Sequence, residues 1–207
     1  MPSDSARAVR EQRAVESFRL ASEAIGQITP GMAVFALTRG QWSMVDALLA
    51  CIQRCAPASI SVWTWTIASY EVDSLARLHR DAVQDARLVI DGGARNKNAA
   101  IIRGWQARYG TDSVRYVRNH AKLARVEGNG LRLLLRGSMN LNHNPRLEQF
   151  DLSEGGPAYD LVRRAEEALP SLPNDATDAD VYAATGVSRA WTQGDLAPFA
   201  GVKVWAK

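Results

Sequence analysis

Residues 118–149 read RNHAKLARVEGNGLRLLLRGSMNLNHNPRLEQ, and this stretch decides the fold. The runs "AKLARVE" (121–127) and "LRLLLRG" (131–137) are strand-like, and the "GNG" between them carries the Asn-Gly pair that marks a tight hairpin turn. "LEQFDLSE" (147–154) adds a further strand candidate. If the first run is extended from His120 onward, His120 and Lys122 point to one face while Ala121 and Leu123 point to the other. The hairpin then returns Gly137, Ser138 and Asn140 near the end of the paired strands, with Glu148 shortly after. A hydroxyl and an amide can both hydrogen-bond phosphate oxygens, and a glycine lets a backbone approach closely.

Upstream of the hairpin, strand and helix patterns alternate. "MAVFALT" (32–38), "SISVWTWTI" (59–67) and "RLVIDGG" (87–93) read as buried strands, rich in β-branched and apolar residues. Between them "QWSMVDALLACIQRCA" and "SYEVDSLARLHRDAVQDA" have helical periodicity, as does "NKNAAIIRGWQARYG" further on. "SVRYVRN" is another strand, and "PAYDLVRRAEEALPSL" a helix entered through Pro157. The alternation predicts an α/β fold, a mixed β-sheet flanked by helices. Residues 1–29 form an N-terminal segment, with an amphipathic helix expected over 5–27. Residues 30–170 form the main domain, and 171–207 a small C-terminal extension.

The chain has 207 residues with a formal net charge of +3 and a pI near 9.1. That mild basic excess suits a polyanionic partner without the density of a nucleic-acid tail. No signal-like or membrane-spanning apolar stretch stands out, so a soluble, cytoplasmic protein with no membrane partner is expected. Cys51 and Cys55, four apart on a helix, are poorly placed for a disulfide and lack neighbouring ligands for a metal; they read as small buried apolar residues.

The pattern H-x-K at His120 and Lys122, with an acid at Glu127 and then G-S-x-N at Gly137, Ser138 and Asn140, resembles the phospholipase D superfamily. The resemblance spans roughly residues 30–170 as one α/β half-domain. Two departures are the Glu in place of the usual Asp and the longer stretch between acid and G-S. The resemblance implies a metal-independent phosphodiesterase with no cofactor. Its His attacks phosphorus to form a phosphohistidine, Lys, Ser and Asn hold the phosphate oxygens, and a second His protonates the leaving oxygen. It further implies that Glu148 orients the nucleophilic imidazole. His79 and His143 lack a Lys two residues on, so the chain carries a single H-x-K, and a complete site implies a two-fold homodimer. The substrate expected is nucleic acid, DNA ahead of RNA, cleaved by an endonuclease. A non-catalytic nucleic-acid-binding dimer and a lipid phosphodiesterase are the rival readings.

Asn142, Asn144 and Arg146 either line the substrate cleft or cap a polar loop. Arg95, Lys97 and Arg103 read as a solvated helix face ahead of a backbone contact. Trp42, Trp63, Trp65 and Trp105 are expected in the core or a dimer interface rather than as base platforms. "DADVYAATGVSRAW", with Gly186, Val187 and Ser188 at its turn, faintly resembles a helix-turn-helix.

Overall fold

The structure is a computed structural model that describes residues 20–68, 82–141 and 146–186, and the backbone alone of residues 11–16. Among the described residues, eight strands form one sheet in the order β1-β2-β8-β7-β6-β3-β4-β5. They are β1 (Glu11–Glu16), β2 (Met32–Arg39), β3 (Ala58–Thr64), β4 (Val83–Asp91), β5 (Val114–Val117), β6 (Leu123–Gly128), β7 (Leu131–Gly137) and β8 (Leu147–Glu154). The helices are α1 (Ala21–Ile25), α2 (Met44–Cys55), α3 (Ala99–Tyr109), α4 (Pro157–Glu167) and α5 (Asp178–Thr185). β1 pairs parallel with β2, and β3, β4 and β5 pair parallel with one another. β6 and β8 run antiparallel to their neighbours, so the sheet is mixed as expected. No helix among the described residues is long and apolar enough to cross a membrane.

The two faces of the sheet differ in kind. Cross-strand partners share a face, so the registers Val34↔Leu152, Leu135↔Leu152, Ala124↔Leu135, Val62↔Ala124 and Val62↔Leu88 trace one continuous apolar row. α1, α2 and α3 contribute Ile25, Leu48, Ile52, Ile102 and Trp105 to the core over it. α2 is started by a capping box, in which Ser43 Oγ accepts from Asp46 N at 3.3 Å and Asp46 Oδ2 accepts from Ser43 N at 2.7 Å. Cys51 and Cys55 are buried free thiols on this helix. Burial pushes Cys55 up to about 11 and pushes Cys51 up as well, so both are inert apolar residues at neutral pH.

The opposite face carries a polar row, Arg125, Ser61 and Arg87 in the successive strands β6, β3 and β4. α4 covers part of it and lowers Glu166, which is 2% exposed, onto that row. The Glu166 carboxylate accepts from Ser61 Oγ, from Trp63 Nε1 at 3.2 Å, from Arg87 at 3.1 Å and from Arg125 at 3.1 Å. A buried carboxylate is tolerable only when paired and hydrogen-bonded, and here two guanidinium groups meet it.

Two expectations change. The helix expected over 5–27 is broken, because Glu11–Glu16 is a strand and only Ala21–Ile25 is helical. β2 offers a free parallel edge, and main-chain pairing needs no apolar side-chain pattern to announce it. The helix expected over 69–86 falls on residues 69–81, outside those described, and on 83–86, which belong to β4 through pairing with β3. The C-terminal extension, through Gly186, packs on the main core. Val181 is 1% exposed, and Asn174 Oδ1 accepts from Tyr116 Oη at 2.6 Å.

At the hairpin, Asn129 and Gly130 have φ of 48° and 75°, the left-handed pair a tight turn demands. Just before it Gly128 lies against the end of α2, where an added Cβ would stand 2.1 Å from Cys55 O and 2.6 Å from Pro57 O. Both neighbours are backbone, so neither yields easily. Gly128→Ala is expected to lower stability by about 2 kcal/mol or more, read as a lower urea midpoint at unchanged slope.

Candidate active site

Every strand except β6 and β8 runs the same way, so the carboxyl ends of β2, β7, β3, β4 and β5 gather at one edge with the amino ends of β6 and β8. Ligands of open α/β sheets bind beyond the carboxyl ends of the strands. His120, Lys122, Ser138 and Glu148 all sit at this edge, immediately outside or at the first residues of their strands.

His120 and Lys122 are not strand residues. β6 begins at Leu123, and residues 118–122 form the link from β5 to β6. These strands are not neighbours, since β3 and β4 lie between them. The link must cross three strand spacings, about 14 Å, so it runs across the strand ends rather than along them. Strand alternation therefore does not pair the two side chains. Lys122 folds back instead, with Nζ 2.8 Å from His120 O and 3.1 and 3.2 Å from the two ring nitrogens.

Asn119 holds this crossing in place and is 7% exposed. Its backbone N–H donates to Asp91 Oδ2 at 2.9 Å, at the end of β4. Its side-chain amide donates to Thr64 O at 3.2 Å, at the end of β3, while Oδ1 accepts from Ala121 N at 2.9 Å. Asp91 spends its other oxygen on Gly93 N at 2.9 Å and Arg118 at 3.5 Å. Arg118 N in turn donates to Thr185 Oγ1 at 3.0 Å, so α5 buttresses the same link. Sequence reasoning missed Asn119, Asp91 and Thr64. An Asp closing the apolar run "RLVID" at a parallel strand end was the available signal.

On the other side of the site, Gly137 brings β7 close to β8, where an added Cβ would stand 2.7 Å from Gln149 O. Ser138 follows, its Oγ accepting from Gln149 N at 3.1 Å and donating to Glu148 Oε2. Glu148 thus engages the Ser138 hydroxyl, whereas the resemblance implied a role beside the imidazole. Beyond Ser138 the chain crosses to β3. Leu141 N donates to Thr64 Oγ1 at 3.4 Å, and Ala68 N donates to Leu141 O at 2.9 Å. Asn140 lies on this crossing, its Oδ1 buried and without a hydrogen-bond partner among the described residues.

The remaining candidates scatter. Arg146 is exposed just before β8, while Asn142 and Asn144 lie outside the described residues. Glu127 is at the far end of β6, where its carboxylate accepts from Tyr159 Oη at 2.6 Å. Arg95 is occupied by Ala176 O and the Tyr116 ring. Lys97 and Arg103 are exposed. Gly186, with φ of 67°, ends α5, and the rest of the faint helix-turn-helix lies outside the described residues. Trp42 and Trp105 are core residues, each 3% exposed, but Trp65 is 46% exposed, and its ring centroid lies 6.0 Å from that of His120.

Desolvation lowers the Lys122 pKa from the ordinary lysine value, and the Glu148 carboxylate partly opposes the shift. The group therefore gives up its proton at a lower pH than a free lysine. Removing the carboxylate removes the opposing effect. NMR titration of the Lys122 ε-carbon should show a midpoint below that of exposed lysines, and a still lower one in Glu148→Gln. A midpoint that rises in the variant would contradict the arrangement. No family model matches the chain, and no curated protein matches it.

Proposed function

We propose that the protein is a metal-independent phosphodiesterase, a DNA endonuclease that works through a phosphohistidine in a site shared by two subunits. The observation that carries this reading is the Lys122 ammonium held against the His120 imidazole, at the sheet edge that also bears Ser138 and Glu148. An imidazole offers a nucleophilic nitrogen at neutral pH, and a fixed cation beside it stabilises charge gathering on phosphate oxygens.

In this scheme a His120 nitrogen attacks phosphorus as the bond to the leaving oxygen breaks. The partner's His120 gives that oxygen its proton. Water then attacks the phosphohistidine and passes a proton back to the partner's His120, which frees the first imidazole and restores both. Lys122 and the Asn140 amide bind the non-bridging oxygens. Ser138 joins them when its proton turns from Glu148 to phosphate. Glu148 favours the charged form of Lys122, and Gly137 provides the close strand approach that sets Ser138 in place. Asn119 and Asp91 are positioning residues, since they hold the link that presents the imidazole.

The test is nicking of supercoiled plasmid in EDTA. Wild type is expected to nick, and His120→Ala to lose at least a thousandfold of the rate, as befits a lost nucleophile. Strand binding without nicking would favour a non-catalytic binder, and hydrolysis of phosphatidylcholine vesicles without nicking would favour a lipid phosphodiesterase. Light scattering that finds an active monomer would sink the shared site.

A further inference from the structure

Trp65 breaks the pattern of the other described tryptophans. Trp42 and Trp105 are in the core, and Trp63 donates to the buried Glu166. Trp65 stands 46% exposed at the end of β3. Its backbone surroundings are nonetheless fixed on both sides. Thr64 Oγ1 donates to Thr66 O at 2.8 Å, Thr64 O accepts from Asn119, and Ile67 pairs with Leu141. The fold thus holds this stretch of backbone rigidly while leaving a large apolar ring in solvent, directly beside the imidazole. The two rings are inclined at 49°, so they are not closed on each other as a flat stack.

We infer that Trp65 is a stacking platform for one unpaired base of a nucleic-acid strand whose phosphate lies at His120 and Lys122. The inference rests on the phosphodiesterase reading of that site and sharpens its substrate to single-stranded nucleic acid. An aromatic ring beside a cation is the pairing used to hold single strands, because every base has a π-face and every link a negative charge. Within a duplex those faces are covered by neighbouring bases, so only an unpaired or extruded base can reach the indole. A choline headgroup also seeks an indole face. Here it would have to sit beside the Lys122 ammonium, which repels it.

The experiment measures binding by fluorescence anisotropy, with the full chain carrying His120→Ala so that no strand is cut. The probes are a labelled oligothymidine strand, a duplex of equal length, and an equal-length strand of abasic sugar-phosphate. Adding Trp65→Ala is expected to weaken oligothymidine binding roughly tenfold, and adding Trp65→Phe to keep most of it. With the abasic strand the difference between Trp65 and Ala should disappear, and the duplex should bind more weakly than the single strand. Equal losses on the abasic and thymidine strands would overturn the inference, as would no loss on either, or duplex binding as tight as strand binding. Displacement of the strand by phosphatidylcholine vesicles that depends on Trp65 would overturn it too. The two readings fail separately. If wild type cuts neither the plasmid nor the oligothymidine strand but strand binding still depends on Trp65, the chemistry falls and the platform stands. If nicking depends on His120 but Trp65→Ala changes no binding, the platform alone falls.

Discussion

The site depends on two places where backbone touches backbone. At one end of the β6–β7 hairpin Gly128 lies against the carbonyls of Cys55 and Pro57, and at the other Gly137 lies against the carbonyl of Gln149. A side chain at either position would meet main chain, which cannot move without shifting a helix end or a strand. The first contact seats the hairpin against α2. The second sets β7 close to β8, so that Ser138 and Glu148 meet beyond the last paired residues. Because a one-residue slip turns every side chain to the other face, fixing both ends fixes what the site edge presents.

Strand direction explains why that edge is chemically rich. Two segments cross it against the grain of the sheet, residues 118–122 running from β5 to β6 and residues 138–141 running from β7 towards β3. Both meet Thr64, whose carbonyl takes the Asn119 amide and whose hydroxyl takes the Leu141 N–H. Irregular backbone here is satisfied by specific partners rather than by a ladder, which is what allows it to carry exposed polar groups in set places. The mutual support also extends to the sheet's polar face, where Glu166 binds α4 to β3, β4 and β6 through Ser61, Arg87 and Arg125.

Much of the architecture was legible because it is local. Apolar and β-branched runs marked β2 and β3, helical periodicity marked α2, and Asn129-Gly130 announced a hairpin whose φ values bear it out. The polar residues of residues 118–149 were also legible as a group by their types and spacing. Their mutual geometry was not. His120 and Lys122 meet because Lys122 folds back in a crossing link, and a crossing exists only because β3 and β4 intervene between β5 and β6. β1 was missed for a related reason, since its strand character comes from the edge of β2 that it joins.

By itself the sequence determined the period of each element, the turn at Asn129-Gly130, and the chemical types available for a phosphate site, because these follow from side chains a few residues apart. Only the tertiary structure decided strand order, and with it which residues face one another. It made Asn119 and Asp91 the clamp of the His120 link, sent Glu127 to the far end of β6, joined Glu148 to Ser138, and left Trp65 exposed beside the imidazole. Each of these is a contact between segments distant in the chain, set by which strands become neighbours, and no local pattern encodes it.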